Sequence, residues 1–337
     1  MIKRILSLFA LYLLVGQVLA STQLLSDSKA VRNFINEMVE QYAFSANELQ
    51  AVFDQANLHQ SILDAISRPA ESKPWYEYRP IFVTTERSKG GARFWQDHAD
   101  TLQQANETFG VPQEIIVAII GVETRYGRNT GNYPVLDALS TLAFAYPPRS
   151  SFFRKELKEY LLMTREEGLP PAEQLGSYAG AMGMPQFIPS SFRNYAVDFD
   201  HDGKRDLWNS PADAIGSVGN YFKRHYWKPG QPIASPVKVH GNRYQALIDD
   251  DNLNPRYSPQ ELMDNGVILP QGLPKDLKGV LIQLESDNGP EYWVGWHNFY
   301  VISRYNHSAL YSMAVYQLSQ QIKQQSTGVI TSEAGNP

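Results

Sequence analysis

Apolar and polar positions alternate along most of the chain with the 3.6-residue period of helices. Between residues 27 and 66, Val31, Phe34, Ile35, Met38, Val39, Ile62 and Ile66 fall at helical spacing, and Ser45 and Asn47 mark a break between helices. The prolines and aromatics of Pro74-Trp75-Tyr76-Glu77-Tyr78-Arg79-Pro80 predict an extended surface loop. Helical spacing resumes over residues 92–109, and Gly110-Val111-Pro112 turns the chain into a helix with proline in its first turn. Ile115-Ile116-Val117-Ala118-Ile119-Ile120 is apolar on every face, as a helix through the middle of a domain must be. Further helices are expected near 135–145, 151–168, 211–226 and 308–324.

Between Trp227 and Trp296 the texture changes to Pro, Gly and short segments such as Val237-Lys238-Val239 and Gly279-Val280-Leu281-Ile282-Gln283-Leu284. The expected organisation is mainly α with a small β domain: a helical region and core over 21–228, a β-rich piece over 229–295, a return to the core over 296–324, and a disordered polar tail over 325–337. Residues 1–20 read as a cleaved export signal. Lys3 and Arg4 precede an apolar run too short to span a bilayer, and Val18-Leu19-Ala20 offers a cleavage site after Ala20. A soluble, periplasmic mature protein follows from that reading.

Composition narrows the chemistry. The 337 residues are 43% hydrophobic and 19% charged, enough for a large core. A net charge of -5 disfavours nucleic acid as a partner. The absence of cysteine excludes disulfides, zinc-thiolate sites, thiol nucleophiles and a cysteine-linked lipid anchor. Acid–base, hydroxyl and metal–carboxylate chemistry remain.

Three segments carry such chemistry. The apolar helix ends in Gly121-Val122-Glu123-Thr124-Arg125-Tyr126-Gly127, with Glu123 on the same side as Ile119 and Ile120. A carboxyl there is desolvated, its pKa rises, and it can stay protonated as a general acid near neutrality. The alternative is a structural ion pair with Arg125 or another base. In Gly176-Ser177-Tyr178-Ala179-Gly180-Ala181-Met182-Gly183-Met184-Pro185-Gln186, glycines permit close approach of a ligand, and Ser177 and Gln186 can donate to its oxygens. The alternative is a glycine-rich packing turn. Asp198, Asp200, Asp202, Lys204 and Asp206 occupy positions one, three, five, seven and nine of an EF-hand-like loop with Gly203 at six. Asn209 stands where the bidentate Glu belongs, and Asp213 is the residue that can close the shell. A single such loop suggests a structural calcium ion, and the alternative is a solvated acidic turn. Nineteen tyrosines and six tryptophans cluster around 75–78, 221–227 and 292–311, suiting sugar rings, although core packing accounts for any one of them.

These motifs, with Gln186-Phe187-Ile188-Pro189-Ser190-Ser191 and Phe299-Tyr300-Val301-Ile302-Ser303-Arg304-Tyr305-Asn306, together resemble the lytic murein transglycosylase B family over about residues 30–320. The resemblance implies a lysozyme-like helical core with a small β domain. It also implies cleavage of the β-1,4 bond between N-acetylmuramic acid and N-acetylglucosamine without water, leaving a 1,6-anhydro end. Carried over by motif, Glu123 is the single acid/base, and Ser177 and Gln186 hold the muramoyl sugar. Tyr78, Tyr221, Tyr300 and Tyr305 stack on or hydrogen-bond the glycan, and the 198–213 loop is the cation site. Two departures stand out: Asn209-Ser210-Pro211 is one residue longer before Asp213, and Phe152-Phe153 replaces a tyrosine often found after Pro147-Pro148. The implied partner is the peptidoglycan strand, met by a monomer with no lipid anchor. A water-using muramidase, a calcium-dependent glycan binder without catalysis, and a structural envelope protein remain as alternatives.

Overall fold

In the computed structural model the described residues are 25, 28–67, 73–249 and 252–333, with side chains described to residue 326. The expected export signal, residues 1–20, and residues 334–337 lie outside them. The chain divides into two compact units, residues 1–54 and 55–337.

The first unit holds α1 (Lys29–Tyr42) and α2 (Ala46–Phe53). Ser28 and Ser45 cap them by accepting the N–H groups of Val31 and Glu48. Val31, Phe34, Ile35 and Met38 form the buried stripe of α1, and Phe34 meets Phe53 of α2 edge to face at 5.9 Å.

In the second unit the first helices are α3 (Gln60–Ile66), α4 (Trp75–Phe82), α5 (Thr85–Asp97), α6 (Ala99–Phe109) and α7 (Gln113–Thr124). Residues 75–80 are therefore helical, with Pro74 as the extended N-cap, and not a surface loop. Pro74 supplies the N-terminal carbonyl that accepts from Glu77 and Tyr78, and burial of Trp75 and Tyr78 outweighs the one N–H lost at Pro80. Next come β1 (Tyr133–Pro134), α8 (Val135–Ala145), α9 (Ser150–Glu167), β2 (Leu175–Gly176), α10 (Pro189–Tyr195) and α11 (Pro211–Arg224). As its composition requires, α7 is buried on all sides from Ile115 through Val122.

The remaining elements are β3 (Ala234–Val239), α12 (Pro259–Asp264), β4 (Val267–Ile268), β5 (Val280–Ser286), β6 (Gly289–Gly295), α13 (His297–Ser303) and α14 (Ala309–Glu333). An antiparallel sheet runs in the order β4-β3-β6-β5. Both faces of β5 are covered. Val280, Ile282 and Leu284 join Trp75, Tyr78, Phe299 and Met313 on one side, while Leu281 joins Val294, Trp296 and Leu262 on the other. After the sheet, α14 packs along α5 and α7. It continues to Glu333, beyond the point where the polar sequence predicts disorder, with Gly328 and no proline inside the extension.

Candidate active site

The cleft is organised by the C-terminal end of α7. Arg125 and Tyr126 both take left-handed backbone conformations (φ 50° and 63°), which end the helix directly after Glu123 and Thr124. The Tyr126 ring folds back beneath the helix, and its hydroxyl donates to the Arg87 carbonyl at 2.7 Å. That fold-back requires glycine at 121, where a Cβ would lie 2.6 Å from the Tyr126 hydroxyl oxygen. Arg87, buried in α5, donates through Nη1 to the carbonyls of Gly121 and Val122 at 3.2 and 3.4 Å. Thr124 Oγ1 donates to the Met184 carbonyl at 2.8 Å and so ties α7 to the glycine-rich segment.

On this braced turn Glu123 is partly reachable by solvent but hemmed in by protein, and burial raises its pKa from the ordinary 4.5 to about 7. Tyr311 opposes that shift, donating its hydroxyl to Glu123 Oε1 at 2.5 Å. No ion pair with Arg125 forms, and among the described residues no other charge contributes to the shift. Tyr311 comes from α14, and no sequence motif marks it. Its signal was only a position in the 292–311 aromatic cluster, next to the Arg304-Tyr305-Asn306 motif. Burial and the neighbouring Glu123 push the hydroxyls of Tyr305 and Tyr311 well above their ordinary pKa, so both stay protonated.

The glycine-rich segment folds into a tight hairpin in which Met182 and Phe187 exchange backbone hydrogen bonds. Gly183 is required at its turn: φ is +66°, and a Cβ would lie 2.3 Å from the Leu207 carbonyl oxygen. Ser177 Oγ accepts the N–H groups of Ala179 and Ala181 at 3.3 and 3.0 Å, which leaves its proton to donate. Gln186 differs from expectation. Its amide gives both protons to the carbonyls of Thr130 and Gly183 at 3.0 Å each, so only its oxygen remains, as an acceptor.

The four tyrosines divide. Tyr78 is 4% exposed and packs in the core beside the sheet, so its ring presents no stacking face, although its hydroxyl lies near enough to raise the Tyr311 pKa. Tyr221 is also buried, stacked on His225 at 4.1 Å with its hydroxyl donated to the Arg304 carbonyl at 2.5 Å. Tyr305 lies between Tyr221 and Tyr311, 4.8 Å and 6.5 Å away between ring centroids, and donates to the Pro185 carbonyl at 2.5 Å. It joins the Glu123 side to the hairpin. Tyr300 is half-buried, and among the described residues its hydroxyl has no partner.

In the 198–213 loop, oxygens of Asp198, Asp200 and Asp202 lie within 4.8 Å of one another. The other acids are used differently. Asp213 is fully buried and accepts the N–H groups of Phe199 and Asp206 at 2.7 Å each, because a carboxylate at that depth must be hydrogen-bonded. Asp206 accepts from the N–H groups of Trp208 and Asn209, fixing the turn before α11. The Asp198, Asp200 and Asp202 carboxylates also accept from the N–H groups of Asp202, Gly203 and Lys204 and from the Ser210 hydroxyl, and they form the candidate donor set for a cation.

The transglycosylase SLT domain family matches residues 26–320. The chain is 43% identical to membrane-bound lytic murein transglycosylase B of Escherichia coli over 86% of its length and 82% of that protein. Soluble lytic transglycosylase SltB1 from Pseudomonas aeruginosa superposes with a TM-score of 0.83 at 52% identity, covering 87% of this chain and 98% of that one. Escherichia coli lytic transglycosylase Slt35, solved in complex with calcium, gives 0.83 at 41% over 89% and 95%. Pseudomonas aeruginosa SltB3, solved in complex with NAG-anhNAM-pentapeptide, gives 0.77 at 31% over 87% and 78%. Among the described residues no helix is long and apolar enough to cross a membrane. The lysozyme-like architecture and these matches agree with the braced acid at the end of α7: the chain belongs to the transglycosylase SLT domain family and is a lytic murein transglycosylase, an enzyme of peptidoglycan.

Proposed function

We propose that Glu123 alone cleaves the MurNAc-β-1,4-GlcNAc bond without water and leaves a 1,6-anhydro-MurNAc end. The observation that carries this reading is a carboxyl at the end of apolar α7 that accepts the Tyr311 hydroxyl, is pushed by burial to a pKa of about 7, and among the described residues is acted on by no second carboxylate. Hydrolytic glycosidases use a pair of acids, one to protonate the leaving oxygen and one to activate water or attack the sugar. A single group suffices when the substrate supplies its own nucleophile. With Tyr311 on Oε1, Oε2 is left to protonate the glycosidic oxygen. As a carboxylate it then takes the proton from the muramoyl O6 hydroxyl while O6 attacks C1. A pKa near the working pH suits both steps.

Ser177 as donor, the Gln186 oxygen as acceptor and Tyr300 at the surface are the groups available to hold the sugar with O6 near C1. Tyr78, Tyr221 and Tyr305 then act as supports behind the cleft. The anhydro sugar in the SltB3 complex supports the same product here. For the cation, the three clustered carboxylates fit a hard divalent ion, and Slt35 carries calcium. Asp198, Asp200, Asp202 and the Lys204 carbonyl would hold it, and Asp206 and Asp213 would brace the loop. When bound, calcium supplies charge neutralisation to a loop that precedes α11, a structural contribution. The enzyme works as a periplasmic monomer after loss of residues 1–20, with peptidoglycan as its partner and no nucleic acid. Mass analysis of products from purified peptidoglycan tests the central claim. Anhydro ends are expected, and reducing muramic acid ends heavier by one water would assign the water-using muramidase instead.

A further inference from the structure

A second cavity borders the end of α7 and is not used by the chemistry above. Its volume is about 280 Å³, and its polar lining is Thr84, Glu86, Arg87, Arg125, Tyr126 and Arg128. Liquid water takes roughly 30 Å³ per molecule, so the space holds several waters or the end of a peptide.

Charge is the unusual feature. Three guanidinium groups face one carboxylate, and among the described residues none of the three forms an ion pair. Arg87 is only 9% exposed; its guanidinium lies over the Phe82 ring at 5.2 Å and Nη1 bonds the two α7 carbonyls, while among the described residues Nε and Nη2 have no hydrogen-bond partner. Burial lowers the Arg87 pKa, and repulsion from Arg125 adds to that shift. A concave site with cations in excess and unused guanidinium donors is built for an anion, and the planar fork favours a carboxylate. Arg87 also grips the carbonyls directly before Glu123, so an anion here lies against the reacting segment.

The sugar rings of murein offer no comparable charge, whereas the pentapeptide seen on the SltB3 ligand ends in a carboxylate. We propose that the Arg87–Arg125–Arg128 cavity is a subsite for a carboxylate of the peptide carried by the murein strand. This rests on the reading that the cleft at Glu123 takes the glycan.

The test measures binding and therefore does not depend on turnover. In the Glu123→Gln protein, affinities for NAG-NAM-pentapeptide and for peptide-free NAG-NAM with its lactyl carboxyl blocked as an amide are compared by calorimetry, with and without Arg125→Gln or Arg128→Gln. Both arginines are exposed, so neither change threatens the fold. The preference for the peptide-bearing ligand is expected to fall by about 10-fold per arginine, the scale of one charge-assisted hydrogen bond. A preference that does not change overturns the subsite. So does acetate binding that depends on Arg128 while the preference stays constant, which would make the cavity a site for small free anions. Failure of the catalytic reading would show separately, as water-containing products from the wild-type enzyme.

Discussion

Replacing Glu123 by Gln should remove activity and stabilise the protein, and the second effect depends on pH in a way the structure fixes. The carboxyl titrates near 4.5 in an unfolded chain and at about 7 in the fold, with burial as the larger cause and the Tyr311 hydrogen bond acting against it. At 1.36 kcal/mol per pH unit, the gap corresponds to roughly 3 kcal/mol. The sign follows from proton counting. Between pH 4.5 and 7 the folded protein keeps the proton and the unfolded chain has lost it, so the unfolded state binds fewer protons and stability falls as pH rises. Below 4.5 both states are protonated and no loss occurs. Above 7 both are ionised and the loss is complete.

Glutamine has nearly the same shape and never ionises, so its stability should be flat across this window. Partial solvent access to the carboxyl reduces the expected gain to about 1–3 kcal/mol at pH 8, against nearly none at pH 4. Denaturant unfolding of wild type and Glu123→Gln at both pH values measures the difference. The same samples on purified peptidoglycan should show turnover reduced by on the order of 10² or more, with glycan binding retained. Equal stability differences at pH 4 and pH 8 would refute the raised pKa. An active Gln variant would refute the role of Glu123 as the sole proton carrier.

Tyr311→Phe removes the hydrogen bond that favours the carboxylate, so the Glu123 pKa should rise further, by about 1–2 pH units for a bond worth roughly 1.5–3 kcal/mol. Because the first step needs the protonated acid, the alkaline limb of the kcat/KM profile should move upward by that amount; an unmoved limb would mean that Tyr311 does not act on the acid. Calcium should raise the melting temperature with a Kd on the order of 10⁻⁴–10⁻³ M, since a bidentate Glu is missing. Asp202→Ala should abolish that rise while Asp213→Asn destabilises with or without the ion, and an unchanged melting curve on chelation would leave the loop an acidic turn.

Local rules made much of this legible from sequence. A run of six apolar residues has no amphipathic solution except full burial, which made α7 readable, and the alternate aspartates around Gly203 pointed to the cluster of Asp198, Asp200 and Asp202 oxygens. Long-range partners were not legible. Tyr311 is 188 positions from Glu123, and Arg87 is 34 from the carbonyl it bonds, so no periodicity connects them. The Trp75 to Phe82 segment misled because proline usage reports backbone cost alone. Burial of two aromatic rings against β5 and α14 supplied the larger opposing contribution. Gln186 misled differently: residue type gives a donor and an acceptor, and only the hairpin around Gly183 decides that the donors are spent internally.

The braces around Glu123 explain how an apolar helix can end in an ionisable group. Two consecutive left-handed residues and a raised carboxyl pKa each cost the fold free energy, on the order of 1–3 kcal/mol apiece. Within α7 only Thr124 helps to offset them, because the side chains from Ile115 to Val122 are committed to packing. The rest of the compensation ties the helix end to its neighbours: Arg87 on its terminal carbonyls, Tyr126 locked to the Arg87 backbone, and Thr124 joined to Met184. Each brace fixes the backbone without adding a charge beside the carboxyl that would depress its pKa. Arg87 is the instructive case, since its guanidinium bonds the helix end yet does not contribute to the Glu123 shift. The strain is thus held by contacts to the backbone and not to the carboxyl, and the acid keeps the one property, a proton near neutral pH, that an ion pair would have taken away.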